Sequence, residues 1–515
     1  MTLAELTAGT DIRRVIGSTA GEIAGLAYDS RQVMPGDLFF STARDPAAAR
    51  EYSNQALNRG ARAVVVKNSD GVAVRSWKDD DTARSAGTIL ECDQPRRLMG
   101  VVASRFFGAP SRQLDLVGIT GTSGKTTTAY LLRSIFEAAG RRAGMIGTIG
   151  TFAADRKLAS GLTTPESIDF EAALASMRTE GIDAVAAEIS SIGLEEHRVD
   201  ELSFRAAVFT NLGRDHLDYH GTPEKYFAAK QRLFVEILPH SSHDSAVAVI
   251  NTDDPYGRTL AASIKLRQIS FGLGKNAEVR AVDATFGSSG IKATIDSSGR
   301  RFEITSSLLG EINLRNILGA SALSVALGIE TDAVVEGVRR CPGAPGRLEA
   351  VPGPAGVKVL IDYAHKPEAL QAVLETLRSL RPKRLFCVFG CGGDRDRGKR
   401  PLMGEIAGRT ADLVIVTSDN PRSEEPRAII TEIEHGLRTT QLIPVSEGQL
   451  RTAAAGYLIE PDRRGAIALA LRSAQPGDLV LIAGKGHEDY QLIGNTRLEF
   501  DDATVVRELT AAIRG

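Results

Sequence analysis

Along the middle of the chain, short apolar runs rich in β-branched residues alternate with longer stretches whose apolar positions recur at helical spacing. Leu114–Thr120, Ala184–Ser190, Ala206–Asn211 and Ala246–Asn251 are the short runs. Such alternation predicts a largely parallel sheet with helices on its faces. The same habit returns in Val357–Tyr363, Leu385–Gly390, Leu413–Ser418 and Leu479–Ala483, which predicts a second α/β domain. Between Arg267 and Leu309 the pattern shortens to polar–apolar alternation, as in Ile291-Lys-Ala-Thr-Ile295 and Phe302-Glu-Ile-Thr305. A small antiparallel patch is expected there.

Pro/Gly-bearing breaks at Phe107-Gly-Ala-Pro-Ser111 and Pro342-Gly-Ala-Pro-Gly346 cut the chain into three pieces, read as domains 1–108, 109–345 and 346–515. A length of 515 residues accommodates three domains. With 62 Lys plus Arg against 64 Asp plus Glu, the net charge of −2 supplies no global field for a polyanion, so no nucleic-acid partner is expected. Four cysteines, Cys92, Cys341, Cys387 and Cys391, are too few for a disulfide framework in so long a chain and lack zinc-knuckle spacing. A reducing, cytoplasmic setting fits them. The acid-bearing N-terminus does not resemble a signal peptide, and no apolar run approaches ~18 residues, so no membrane partner is expected. Glycine stands out at 51 residues, about 10% against a usual ~7%.

The run Leu114–Thr120 leads directly into Gly121-Thr122-Ser123-Gly124-Lys125-Thr126-Thr127, and Tyr130, Leu131, Ile135 and Phe136 then mark a helical apolar face. Strand, glycine loop, Lys-Thr and helix is the order a nucleotide phosphate site requires. Loop N–H groups and the helix N-terminus favour anions, Lys125 can reach the β and γ phosphates, and Thr126 can hold Mg²⁺. The usual first glycine of such loops is Ile119 here.

Other polar clusters follow predicted strands, where open α/β sheets bind ligands. Ala184–Glu188 ends in Glu188-Ile-Ser190-Ser191, and a later strand ends in Asn211-Leu-Gly-Arg-Asp215-His216-Leu-Asp218-Tyr-His220. Two histidines among aspartates suit either a metal or a phosphate role, or a solvated turn. Four more clusters come from the last third: Asp362-Tyr-Ala-His365, Gly390-Cys-Gly-Gly-Asp-Arg395, Asp419-Asn420-Pro421-Arg422 and Gly484-Lys-Gly-His-Glu488. Their mixed charges suit a zwitterion better than a simple anion.

In this order, Gly-Thr-x-Gly-Lys-Thr-Thr, Glu-x-Ser-Ser, Asn-Leu-x-Arg-Asp-His-Leu-Asp-Tyr-His, the pair Asn313 and Asn316, Gly346-Arg347-Leu-Glu and Asp-Tyr-Ala-His resemble the Mur ligases, the family that builds the peptidoglycan stem peptide. Asp29-Ser30-Arg31 and Thr163-Thr164-Pro165 resemble the uridine-site segment and muramoyl-peptide loop of members acting third in the pathway. Asp419-Asn-Pro-Arg422 resembles the motif of members that add meso-diaminopimelate rather than lysine. The resemblance implies a small N-terminal α/β uridine-binding domain, a central P-loop ATPase-like parallel-sheet domain and a C-terminal Rossmann-like α/β domain. It implies ATP-dependent amide formation on UDP-N-acetylmuramoyl-L-alanyl-D-glutamate through an acyl phosphate. A monomer is the default expectation, since nothing in the sequence sets an oligomeric state.

Carried over residue by residue, it assigns ATP to the loop Gly121–Thr127 and to Asn316, Arg347, Asp362 and His365. Ser30, Thr163, Thr164, Ser190, Glu196 and Arg198 would hold the nucleotide-sugar peptide. Arg395, Asp419, Asn420, Pro421, Arg422, Gly484 and Glu488 would hold diaminopimelate. Thr126, Glu188, His216 and Lys230 would form the Mg²⁺ site, with Lys230 carbamylated and Lys125, Lys230, His216 and Glu188 serving catalysis.

Three positions depart from the family pattern: Ser123 for Asn, Ile192 for His and Lys366 for Thr. None removes a charged phosphate or metal group. Rival readings are a lysine-adding ligase, which should lack Asp-Asn-Pro-Arg, a folylpolyglutamate synthetase, which should lack the Asp-Ser-Arg segment, and a nucleotide-binding regulator without ligase activity.

Overall fold

The computed structural model describes residues 1–68, 87–159, 161–243 and 245–514. The chain is α/β and divides into two compact units: Met1–Arg280 with 296–300 and 318–337, and 281–295 and 301–317 with Val338–Gly515. Residues 1–108 carry a sheet of their own but share the first unit with the central sheet.

That first sheet holds β1 (Ile12–Ile16), β2 (Leu26–Ala27), β3 (Leu38–Phe40), β4 (Ala63–Lys67) and β5 (Thr88–Cys92) in the order β1-β5-β4-β3-β2. Only β1 runs antiparallel to its neighbour. Leu38, Phe40, Val65 and Leu90 bury one face against Met99 and Val102 of the helix Pro95–Phe106.

The central sheet follows with β6 (Asp115–Thr120), β7 (Ala143–Gly147), β8 (Gly150–Ala153), β9 (Arg156–Ala159), β10 (Ala184–Glu188), β11 (Ala206–Phe209), β12 (Val247–Asn251) and β13 (Gln268–Gly272). Their order is β13-β12-β11-β6-β10-β7-β8-β9, parallel from β13 to β7 and antiparallel through β8 and β9. All four runs predicted as strands are strands. The glycine-bearing β7 and the short, polar β9 carry too little apolar periodicity to be read from sequence. Register pairs Glu188 with Ile119 and Phe209 with Thr120, so β6, β10 and β11 end side by side. The expected antiparallel patch is β14 (Val279–Gly287), β15 (Gly290–Ser297) and β16 (Arg300–Ser306), neighbours joined by two-residue turns.

In the second unit β17 (Glu349–Pro352), β18 (Lys358–Asp362), β19 (Leu385–Phe389), β20 (Leu413–Val416), β21 (Gly456–Ile459) and β22 (Leu479–Ala483) pair in the order β17-β18-β22-β19-β20-β21. All pairs but β17–β18 are parallel. Leu370, Leu374, Met403 and Ile433 pack on one face, and Ile467, Leu471 and Val506 on the other, the doubly wound arrangement of Rossmann-like domains. A hairpin of β23 (Tyr490–Ile493) and β24 (Thr496–Glu499) precedes the last helix, Asp502–Arg514.

Candidate active site

The end of β6 turns sharply at Gly121, where φ is +146° and any Cβ would lie 1.9 Å from Thr210 Oγ1. Glycine is therefore required at this position. Gly124, at φ +86°, caps the helix Lys125–Ala138, whose first turn faces back along the loop. The β11 end closes the loop from one side. Thr122 N–H donates to the Asn211 carbonyl at 2.9 Å, Ser123 N–H to Asn211 Oδ1 at 3.0 Å, and Thr210 Oγ1 to the Ser123 carbonyl at 2.7 Å. Ser123 thus joins the loop through its backbone N–H and carbonyl, groups that do not depend on the side chain at that position.

Two lysines and a carboxylate gather around this loop. Lys125 Nζ donates to the carbonyls of Gly121 and Thr122 at 2.9 and 3.1 Å. Lys230, on the helix Pro223–Arg232, is 1% exposed and donates to the same Gly121 carbonyl at 2.8 Å. Burial pushes its amine well below the ordinary lysine range, Lys125 adds to the effect, and Asp215 opposes it. Glu188, 0% exposed, accepts from Thr126 Oγ1 at 3.0 Å, from Thr148 N–H at 3.0 Å and from Thr148 Oγ1 at 3.1 Å. Gly147 makes room for it, since a Cβ there would stand 2.2 Å from Glu188 Oε1.

Thr126 and Thr148 hydroxyls around a buried carboxylate form a hard-oxygen donor set of the kind that suits Mg²⁺. His216 is less enclosed: it has φ +50°, pairs with Asp215 at 3.5 Å, and its ring lies 6.2 Å from that of Tyr226, whose hydroxyl meets Thr122 Oγ1 at 3.1 Å. Among the described residues no group of three or more His, Cys, Asp and Glu is arranged for a metal. The oxygen donors gathered here are the Glu188 carboxylate and the Thr126 and Thr148 hydroxyls.

Beyond Glu188 the predicted sugar-peptide residues form a connected set. Thr164 is buried, donates its hydroxyl to the Glu188 carbonyl at 2.9 Å and accepts from Ser190 N–H at 2.9 Å. Thr163 and Thr148 hydroxyls meet at 3.1 Å. Ser190 caps the helix Ser191–Glu195 by accepting from Gly193 N–H. Arg198 donates to the Thr164 carbonyl at 3.1 Å and pairs with Glu166 at 3.0 Å, while Glu196 pairs with Arg96 at 2.8 Å and with Arg44. Ser30 lies in the N-terminal sheet region, donating to Gln55 Oε1 at 2.8 Å.

The remaining predicted residues belong to the second unit. Asn316 donates to Asn313 Oδ1 at 3.0 Å. The Arg347 guanidinium sits 4.8 Å over the Tyr363 ring, and Asp362 accepts from Leu348 and Ala364 N–H at 2.8 Å each. Burial raises the Asp362 carboxyl, with Arg347 opposing. Burial also lowers His365 to about 4, so the imidazole is neutral at pH 7. Lys366 stands at the N-cap of the helix Pro367–Ser379 and supplies no side-chain cap.

At the ends of β19, β20 and β22 the mixed-charge cluster closes on itself. Asn420 Nδ2 donates to Glu488 Oε2 at 2.8 Å, joining the turn after β20 to the loop after β22. Arg422, at φ +53°, donates to the Gly393 carbonyl at 2.7 Å, and a Cβ on Gly393 would meet the Pro421 carbonyl at 1.9 Å. Wholly buried Lys485 lies 3.3 Å from Asn420 Oδ1, 3.5 Å from Glu488 and 3.8 Å from Asp419. Burial raises Glu488, and Lys485 opposes that rise. Gly484 N–H donates to the Asp362 carbonyl at 3.0 Å, placing the first Asp-Tyr-Ala-His residue beside this loop. Arg395 extends outward, donating only weakly to the Asp394 carbonyl.

Sequence reasoning missed Thr148, Asn211 as loop partner, and Lys485. Each lies at or just beyond the C-terminal end of a parallel strand. That topological position was the available signal for Thr148, but its strand, β7, was not recognised.

Two family models match the chain. The Mur ligase middle domain matches residues 119–324, and the Mur ligase, glutamate ligase domain matches residues 346–486. The UDP-N-acetylmuramoyl-L-alanyl-D-glutamate--2,6-diaminopimelate ligase of Geobacter metallireducens is 44% identical, over 98% of this chain and 99% of its own. The protein of the same name from Lactiplantibacillus plantarum is 38% identical over 94% of this chain and 93% of its own. A solved structure of a ligase of that name superposes with a TM-score of 0.71 at 32% identity, covering 100% of this chain and 99% of its own. A Mycobacterium tuberculosis folylpolyglutamate synthase shares the fold at 18% identity, with a TM-score of 0.59 over 75% of this chain and 91% of its own.

Proposed function

This chain belongs to the Mur ligase family, and we infer that it is the ATP-dependent ligase joining meso-diaminopimelate to the D-glutamate side-chain carboxylate of UDP-N-acetylmuramoyl-L-alanyl-D-glutamate. The observation that carries the amino-acid choice is the Asp419–Arg422 turn locked to Glu488 through Asn420. Diaminopimelate ends in an ammonium beside a carboxylate, and this cluster offers Glu488 and Asp419 for the first and Arg422 and Arg395 for the second. Lysine lacks the distal carboxylate and would leave a desolvated arginine unpaired.

In the reaction the glutamate side-chain carboxylate attacks the γ-phosphorus of ATP and expels ADP. The amine then attacks the acyl carbon, and phosphate leaves from the tetrahedral intermediate. Phosphoryl transfer needs positioning and charge neutralisation more than covalent help. Lys125 and the N–H groups of Gly121–Thr127 meet the phosphates, while Asn316, Arg347, Asp362 and His365 are assigned to the same nucleotide. Thr126, Glu188, His216 and a carbamylated Lys230 would hold Mg²⁺, which supplies further neutralisation of phosphate charge. Carbamylation requires a neutral amine, and the depressed Lys230 supports that reading. Thr163, Thr164, Ser190, Glu196, Arg198 and Ser30 are assigned to the nucleotide-sugar peptide.

The reading divides the chain by substrate: residues 1–108 for uridine, 109–345 for ATP and 346–515 for the amino acid. It places a monomeric enzyme in the cytoplasm. No helix among the described residues is long and apolar enough to cross a membrane. Phosphate release from ATP that requires both the muramoyl dipeptide nucleotide and diaminopimelate tests the assignment. Release with lysine at a comparable rate would overturn the amino-acid choice.

A further inference from the structure

Behind the amino-acid cluster lies a charged pair that touches none of the residues assigned to substrate by its own side chains. Arg463, first residue of the helix Arg463–Ser473, and Asp502, first residue of the last helix, both have side chains with 0% exposure. They meet in a two-point fork, Nε to Oδ1 at 2.8 Å and Nη2 to Oδ2 at 2.6 Å. The rest of the guanidinium is spent on two backbone carbonyls. Nη2 donates to Ala483 at 3.1 Å, and Nη1 to Ser418 at 3.3 Å.

Those two residues immediately precede Gly484 and Asp419. One planar group therefore ties the last residue of β22 to the residue that opens the Asp419–Arg422 turn. Ser418 is held again from the same helix start, with its hydroxyl donating to the Pro461 carbonyl at 2.7 Å. On the ligand side the two loops are joined through Asn420 and Glu488 at 2.8 Å and through Lys485, and the strand that follows adds Gln491 Nε2 donating to the Asp419 carbonyl at 2.8 Å and Leu492 N–H donating to Asn420 Oδ1 at 3.0 Å. Arg463 fixes the base of a jaw whose tips carry the recognition groups.

Stability alone does not account for the pair. Desolvating two charges costs about what their attraction returns, and apolar side chains of similar volume are often as stable. A fork that also anchors two carbonyls has something apolar side chains cannot supply: a set distance between two chain segments. We propose that Arg463 and Asp502 are positioning residues for amino-acid selection, setting the spacing between the Asp419–Arg422 turn and the Gly484–Glu488 loop. The proposal deepens the function inferred above and rests on it. Diaminopimelate needs its ammonium and carboxylate met at once from the two loops, so a change in their spacing weakens it more than it weakens lysine.

The test is steady-state kinetics of the double variant R463M/D502L, in which neither charge is left buried alone. Expected are a melting temperature close to the wild type, a rise of about tenfold or more in KM for diaminopimelate, and KM values for ATP and the nucleotide-sugar peptide changed by less than about twofold. The preference for diaminopimelate over lysine should fall by a similar factor. An unchanged KM for diaminopimelate with unchanged preference overturns the proposal, as does a parallel shift of all three KM values with the melting temperature. If the double variant does not fold, R463K serves instead, because it keeps the charge opposite Asp502 and loses the fork. There too a raised KM for diaminopimelate alone supports the proposal and an unchanged one overturns it. Wild-type enzyme lacking diaminopimelate-dependent phosphate release would instead sink the underlying function, so the two failures are distinguishable.

Discussion

Lys230 Nζ donates to the Gly121 carbonyl at 2.8 Å, which fastens a buried amine to the first glycine of the phosphate loop. Lys125 donates to the same carbonyl at 2.9 Å. Burial first, and then repulsion from Lys125 on the same carbonyl, lowers the Lys230 amine well below the ordinary lysine range and favours its neutral, nucleophilic form. Neutral amine adds CO₂ and releases a proton to give a carbamate, which would place a negative charge beside the Lys125 ammonium.

Activity should accordingly depend on CO₂. Depleting dissolved CO₂ should lower kcat of the wild type, and bicarbonate should restore it. K230A should be slower by at least about 10²-fold and indifferent to bicarbonate, the scale on which positioned groups at phosphoryl transfer act. A carbon-13 carbamate signal from labelled bicarbonate, present in the wild type and absent in K230R, checks the chemistry directly. A wild type insensitive to CO₂ and lacking that signal would refute the carbamate.

Thr148 should matter as much as residues the motifs announced. Its hydroxyl and N–H hold Glu188 beside Thr126, and a hydrogen bond to a charged group contributes about 1.5–3 kcal/mol. T148V keeps the N–H and the volume but removes the hydroxyl. Its kcat should fall by about 10- to 100-fold, the kinetic equivalent of that energy, while KM for diaminopimelate stays put. Equal kcat in T148V and wild type would remove Thr148 from the site.

Why Thr148 escaped the sequence and Glu188 did not is a matter of flanking chain. Glu188 ends an apolar run, Ala184-Val-Ala-Ala, whose strand character is plain. Thr148 sits between glycines in Gly147-Thr-Ile-Gly150, where no periodicity marks a strand at all. The same reason hid β8 and β9, while the eight short apolar runs all proved to be strands. Phosphate and amino-acid loops were legible because polar, glycine-rich segments after parallel strands have few other uses. Arg463 and Asp502 were illegible for the opposite reason: alone, a charged residue at a helix start reads as solvent-facing, and only packing shows it buried.

Arg422 should govern the choice between diaminopimelate and lysine. Its guanidinium is set by the Gly393 carbonyl at 2.7 Å and by a backbone at φ +53°. R422A should lose most of a discrimination that unpaired buried polar groups can bring to roughly 10⁴–10⁵, chiefly by raising KM for diaminopimelate. Phosphate release measured with each amino acid reads this ratio. A ratio unchanged in R422A would assign carboxylate recognition elsewhere.

Lys366 offers a stabilising substitution. The helix Pro367–Ser379 begins at an N-cap whose side chain makes no capping bond, whereas Ser, Thr, Asp or Asn at that position typically contributes about 0.5–2 kcal/mol. K366T should raise unfolding free energy by about 1 kcal/mol, seen as a higher denaturant midpoint with unchanged slope. The neighbouring His365 is already held by its own bond to the Tyr363 carbonyl at 2.8 Å, so kcat should change little. A lower midpoint would mean that the lysine makes contacts outweighing a cap.

Glu171 makes stability fall with rising pH. The carboxyl is buried between the helices Pro95–Phe106 and Ser167–Thr179, and burial raises it to about 8, with Ser104 and Arg112 opposing and Glu201 reinforcing. In the unfolded chain the same group titrates near its ordinary value of 4.5. Below that value both states are protonated and its contribution is fully present. Between there and about 8 the unfolded chain gives up its proton while the folded one keeps it, so stability drains away as pH rises through the folded value. E171Q cannot ionise and should escape the loss. The melting-temperature difference between E171Q and wild type should therefore grow in favour of the variant from about pH 5 to about pH 8 and level off above. A difference that stays flat across that range would show that Glu171 enters the fold ionised.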